Sequence, residues 1–128
     1  MEVKLTYHGH ACFTLEYRGA KAVIDPYAWG MVPGQEDLHL TANAVYCSHG
    51  HADHNFTQAV TLEEAPSLPW TVTEFETPHD DCGGAKRGMN TVRIFDCGGI
   101  RVAHLGDLGC FPDEELENAL DGIDCMLI

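Results

Sequence analysis

His49-Gly50-His51-Ala52-Asp53-His54 decides how this chain is read. Four metal-binding side chains fall within six residues, in the order His-x-His-x-Asp-His. Ala44-Val45-Tyr46-Cys47-Ser48 comes just before and reads as a short buried strand. A strand that ends in such a loop gives the coordinating groups a rigid base. Neutral imidazoles suit zinc, iron, nickel or copper, and a carboxylate suits a harder divalent ion. The spacing lets the loop serve two ions. His49 and His51, two apart, can converge on one, while Asp53 and His54, adjacent, can turn towards a second. The competing reading is a chance cluster in a chain with eight histidines. The order of the ligands and the strand before them argue against it.

Further motifs lie on either side: Tyr7-His8-Gly9-His10-Ala11-Cys12-Phe13, Val23-Ile24-Asp25-Pro26-Tyr27, Pro78-His79-Asp80-Asp81 and His104-Leu105-Gly106-Asp107-Leu108-Gly109. In this order, with the histidine loop among them, they resemble the metallo-β-lactamase superfamily. Within it they look like the branch of metal-dependent hydrolases related to ascorbate-6-phosphate lactonase. The resemblance runs the length of the chain. The histidine loop is its most specific part, and the Gly-His-Ala opening says little alone.

The resemblance implies an αββα sandwich, a mixed α/β fold with the metal site at one edge of its sheets. Pattern alone gives only a mixed α/β protein with mostly antiparallel strands. By itself, His79 beside Pro78 reads as a surface histidine; the resemblance makes it the third ligand of the first ion, with His49 and His51. Three histidines leave a position for water, as at catalytic zinc. Asp107 alone could be a turn aspartate. In the resemblance it bridges the two ions, and Asp53 and His54 serve the second. The family takes one more histidine from a later strand end, and no histidine follows His104 here. Two zinc ions are expected, with manganese or iron as alternatives. Such ions, about 3.5–4 Å apart, share a water and lower its pKa towards roughly 7. The hydroxide so formed attacks a carbonyl or phosphoryl centre, with Asp53 as the catalytic residue that orients it and carries its proton.

Five residues are expected around these ligands. Asp25, at a strand end, can hold a ligand histidine by a hydrogen bond; a turn aspartate is the plain alternative. His10 lines the mouth of the site, and His104 packs near it. Asn90 and Arg87, in the loop after His79, either meet a polar substrate group or are simply solvated. Trp29 and Trp70 read as packing residues, with Trp29 also placed to form a pocket wall, and His39 reads as surface.

Seven basic against 20 acidic residues give a net charge of −13. That surface repels phosphate backbones and excludes nucleic acid as a partner. No stretch is long and apolar enough to span a membrane, and no apolar segment follows a basic start. The six cysteines show no Cys-x-x-Cys spacing, which fits reduced thiols in a cytoplasm. At 128 residues the chain is read as a single, partial domain. Ile123-Asp124-Cys125-Met126-Leu127-Ile128 reads as a strand at which the sequence stops, so the expectation is the N-terminal portion of a larger domain. Alone it is expected to be a weak or inactive catalyst that self-associates through an uncovered apolar edge.

Strands are expected at 3–7, 12–17 and 21–24 as a meander, with a tight turn at Arg18-Gly19. A loop follows over 26–40, and then the strand at 44–48. Asn55 to Val60 is read as one or two helical turns, Thr71 to Glu76 as a strand, and 80–90 as a Gly-rich loop. A hairpin is expected around Cys97-Gly98-Gly99, and a helix over Pro112 to Leu120.

The leading function is a metal-dependent hydrolase of a small lactone, ester, amide or phosphoester. One alternative is iron redox chemistry within the same superfamily. Another is a non-catalytic metal-binding fragment that needs a partner or further chain.

Overall fold

The structure is a computed structural model that describes residues 2–34, 36–51, 54–65, 67–79, 84, 88–109 and 112–127. The chain forms two units, Met1–Pro69 and Trp70–Ile128.

The first unit opens with β1 (Val3–Gly9), β2 (Cys12–Tyr17) and β3 (Ala20–Ile24), an antiparallel meander as expected. Arg18 and Gly19 take φ of 51° and 79°, the left-handed pair that joins two twisted strands in a two-residue hairpin. β3 is buried at Ala20, Ala22, Val23 and Ile24 because a strand covers each of its edges. On its far side β5 (Ala44–Tyr46) pairs with it in parallel. β5 is shorter than expected and only half-buried, since it closes the sheet order β1-β2-β3-β5. Its last residue leads directly to the histidine loop.

One expectation fails here, and another is met at its shorter limit. Leu40–Ala42, at the end of the expected loop, is a strand, β4, paired in parallel with β6 (Val60–Leu62). The helix expected from Asn55 to Val60 is a single 3-10 turn over Thr57–Ala59. It cannot extend, because Val60 and Thr61, both β-branched, enter the ladder with Leu40 and Thr41. The unit's core joins Cys12, Val23, Tyr27, Leu38, Ala42, Ala59 and Val60, so the connection after β3 is packed rather than merely solvated. Trp29 is 47% exposed, with its ring against Phe56 and His39 and its Nε1 donating to Leu38 O; Trp70 is buried.

The second unit is a sheet in the order β10-β9-β8-β7, built from β7 (Thr71–Pro78), β8 (Met89–Cys97), β9 (Ile100–His104) and β10 (Cys125–Leu127). Gly98 and Gly99, at φ 63° and 98°, turn β8 into β9. Helix α1 (Glu114–Leu120) begins after Asp113, which caps it by accepting from Leu116 N at 2.9 Å. The expected start at Pro112 therefore moves two residues on. Arg101 on β9 donates to Ala119 O and Asp121 O at the other end, so the helix returns the chain to pair β10 in parallel with β9. The strands are less uniformly antiparallel than pattern suggested: β3–β5, β4–β6 and β9–β10 are parallel. Among the described residues no helix is long and apolar enough to cross a membrane.

Candidate metal centre

In the first unit the end of β3 and the end of β5 deliver one hydrogen-bonded group. Asp25 follows β3, is fully buried, and takes φ 52°, a left-handed conformation that aspartate tolerates. Its backbone N–H donates to Tyr46 O on the neighbouring strand, 2.8 Å away, which fixes the carboxylate over the start of the loop. Oδ1 accepts from the backbone N–H of Ser48 at 2.7 Å. Oδ2 accepts from Ser48 Oγ and lies 2.6 Å from Nδ1 of His54, which is itself fully buried. Ser48 Oγ is 2.9 Å from Nδ1 of His49.

The proton positions follow from valence. A carboxylate only accepts, so His54 carries its proton on Nδ1. Ser48 has one hydroxyl proton and gives it to Asp25, so it accepts from His49, whose proton is also on Nδ1. Both imidazoles thus turn the lone pair of Nε2 away from Asp25. That is the ligand-competent tautomer, and a carboxylate behind a histidine is the usual arrangement behind metal ligands. One aspartate orients two histidines, His54 directly and His49 through Ser48.

Donor atoms of Asp25, His49 and His54 lie within 4.8 Å of one another. The rings of His49 and His54 are 4.2 Å apart, and those of His49 and His51 are 4.6 Å apart. His49 Nε2 is buried, whereas His51 is exposed. Asp25 has both oxygens engaged, so it acts here as the group that orients. The donor set left over is clustered neutral imidazole nitrogens, the chemistry that suits zinc or a neighbouring first-row divalent ion. His10, exposed in the turn after β1, brings its Nε2 to 3.1 Å from His54 Nε2. Asp53 lies outside the described residues, as does Arg87.

The second unit carries His79 and Asp107. His79, 8% exposed, follows β7, and its backbone N–H donates to Gly88 O at 3.0 Å. Its Nε2 is 3.3 Å from Asp107 Oδ2, and Asp107 is 34% exposed. His79, Asp107, Leu108 and Gly109 line a cleft of about 320 Å³. Gly106, at φ 59°, turns the chain out of β9 so that Asp107 points into it. His104 is buried, and its Nδ1 accepts from Gly106 N at 3.1 Å.

Asn90 is not a loop residue. It lies in β8, fully buried, so it is closed to substrate. Its Oδ1 accepts from Asp107 N at 2.9 Å, and its Nδ2 donates to Leu105 O at 2.9 Å and to Thr77 Oγ1 at 3.2 Å. The amide grips both sides of the Gly106 turn. Ser48 was missed from sequence. The only signal for it was its place directly before His49.

Among the described cysteines, Cys12 and Cys97 are buried. Burial, then the charges of Asp25 and Cys47, push the Cys12 thiol up to about 12. Burial likewise lowers the pKa of His8, whose Nε2 sits 2.6 Å from Thr14 Oγ1.

Comparison with known proteins agrees with this architecture. The β-lactamase superfamily domain model matches residues 4–128. The chain belongs to that superfamily, with the metallo-β-lactamase fold, and within it to the UPF0173 metal-dependent hydrolases. A UPF0173 metal-dependent hydrolase of Thermoplasma volcanium is 30% identical over an alignment that takes in 100% of this chain and 71% of that protein. One from Xanthobacter autotrophicus is 29% identical over 78% of this chain and 45% of its own length. Among solved structures, a Thermotoga maritima protein assigned as a Zn-dependent hydrolase of the metallo-β-lactamase superfamily superposes with a TM-score of 0.65 at 26% identity, covering 98% of this chain and 60% of that one. A diiron β-hydroxylase from Streptomyces venezuelae shares the fold, with a TM-score of 0.61 at 15% identity. The chain spans less than half of the Xanthobacter relative and about three-fifths of the Thermotoga structure.

Proposed function

We propose that this chain carries the metal-binding part of a hydrolase that cleaves a small lactone, ester, amide or phosphoester. The observation that carries the reading is the pair of histidines whose Nδ1 atoms are held by Asp25 and Ser48. His49, His51 and His79 would hold one divalent ion. His54, Asp53 and Asp107 would hold a second, with Asp107 shared. Bound divalent ions supply an activated water and polarise the substrate oxygen. The chain's own residues then do three things. Asp25 holds Nδ1 of His54, and through Ser48 that of His49, and so turns their Nε2 atoms towards the ion they would hold. Asn90 fixes the backbone of Asp107 so that its carboxylate meets the site without reorganising. Asp53, which falls between His51 and His54 in sequence, would orient the attacking water and accept its proton. The acidic balance of the chain favours a small substrate over a nucleic acid.

The test is metal analysis of the full-length protein, together with turnover of lactone, phosphodiester and β-lactam panels. Close to two equivalents of zinc, falling in His49→Ala and His54→Ala, is the expected result. A well-folded protein that retains no divalent ion would overturn the reading. An iron-rich, coloured preparation would move it to redox chemistry within the same superfamily.

A further inference from the structure

We propose that His10, in the turn after β1, is a direct ligand of the ion held by His54. This inference rests on the metal-centre reading but adds a ligand that the histidine loop does not contain. Nε2 of His10 lies 3.1 Å from Nε2 of His54. His54 has its proton on Nδ1, towards Asp25, so its Nε2 presents a lone pair to His10. Two ring nitrogens this close share either one imidazole hydrogen or a metal ion. Metal–nitrogen bonds of about 2.0–2.1 Å place two imidazole nitrogens about 3.3 Å apart at a tetrahedral angle and about 2.9 Å apart at a right angle. The observed separation falls between these values. The rings meet nearly edge-on, at 68°, with centroids 4.8 Å apart, so neither face blocks a shared ion.

The turn is built to hold this pose. Gly9 and His10 take φ of 104° and 51°, so His10 adopts a left-handed backbone that few side chains favour. Two tyrosines pin it on either side: Tyr7 Oη donates to His10 O, and Tyr27 Oη donates to His8 O, both at 2.8 Å. Tyr27 itself is a core residue. A disfavoured conformation held by two hydrogen bonds, one of them from a core residue, is what a positioned ligand requires. His49, with its ring 4.2 Å from that of His54, brings a third imidazole to the same place.

The experiment is nuclear magnetic resonance of the full chain, labelled with ¹⁵N-histidine and loaded with ¹¹³Cd. A metal bond gives a scalar coupling between ¹¹³Cd and the ligating nitrogen, whereas a hydrogen bond between two imidazoles gives none. Coupling is expected at Nε2 of both His10 and His54. In His10→Asn, whose shorter amide tolerates the left-handed backbone, the His54 coupling should survive and cadmium affinity at that ion should fall about tenfold or more. Coupling at His54 but not at His10 overturns this inference and leaves the metal centre standing. Coupling at neither overturns both.

Discussion

The two units hold their candidate metal-binding side chains by different means. In the first, a buried carboxylate does the work: Asp25 meets Ser48 and His54 through charge-assisted hydrogen bonds, and its own backbone is in a left-handed conformation. In the second, a neutral amide does it: Asn90 holds backbone groups of Leu105 and Asp107, and the carboxylate itself is left one-third exposed. The first arrangement sets the protonation and direction of ligands. The second sets only where a ligand sits. Charge-assisted bonds are roughly twice as strong as neutral ones, so damage to the first should cost more.

The largest effect is expected at Asp25. Asp25→Ala removes the acceptor for three donors in a fully buried place and puts alanine in a left-handed conformation. A loss of about 2–4 kcal/mol in denaturant unfolding is expected, with loss of bound metal. Asp25→Asn keeps the backbone preference and separates the charge from the fold. It should recover much of the stability but not the metal. Equal metal content in Asp25→Asn and the parent would show that the carboxylate does not set the histidine tautomers.

Asn90 should matter next. Asn90→Ala, at a buried position of β8, takes away the side-chain amide that Asp107 N–H and Leu105 O bond to. About 1–3 kcal/mol of stability should go, together with affinity for the ion that Asp107 serves. If metal affinity is untouched while stability falls, the grip of Asn90 on the Gly106 turn is structural only. Asp107→Ala makes the reverse case. Its side chain is partly exposed, so unfolding free energy without metal should change by about 0.5 kcal/mol or less. Metal content should nevertheless drop from two equivalents towards one, and unchanged stoichiometry would remove Asp107 from the site.

The same contrast explains what could be read from sequence. His49, His51 and His54 are legible because ligand spacing within one loop is a local property of the chain. The meander through β1, β2 and β3 is legible from alternation and from Arg18-Gly19. Asn90 is not, because its role is a set of hydrogen bonds to residues 13 to 17 positions away, and nothing beside it in sequence marks them. β4 and β6 were missed for a related reason. Each is three residues long and is a strand only through the other. The geometry of His10 also escaped the sequence, since its turn owes its shape to tyrosine hydroxyls, one of them 19 positions away.

The smallest effect separates a buried thiol in the second unit from the metal chemistry. Cys97 ends β8 and is fully buried; burial, then the charge of Asp96, raises its pKa above the ordinary 9.0. In the unfolded chain this thiol loses its proton near its ordinary value, while in the folded chain it keeps it to higher pH. Above about pH 9 the folded state therefore binds more protons than the unfolded one, and stability falls as pH rises. Below that value both states are protonated and the group contributes no slope. Cys97→Ala removes the titrating group from both states, so the variant's stability should fall less steeply than the parent's as the pH rises above about 9. Cys12 and Tyr27, whose pKa values are also raised, titrate alike in both proteins and cancel from the difference. Identical pH slopes in urea unfolding would mean that the Cys97 thiol ionises as readily in the folded protein as in the open chain. The end of β8 would then be open to solvent on the timescale of the measurement, and the hairpin that carries Asn90 and His104 would be a looser support for Asp107 than its hydrogen bonds imply.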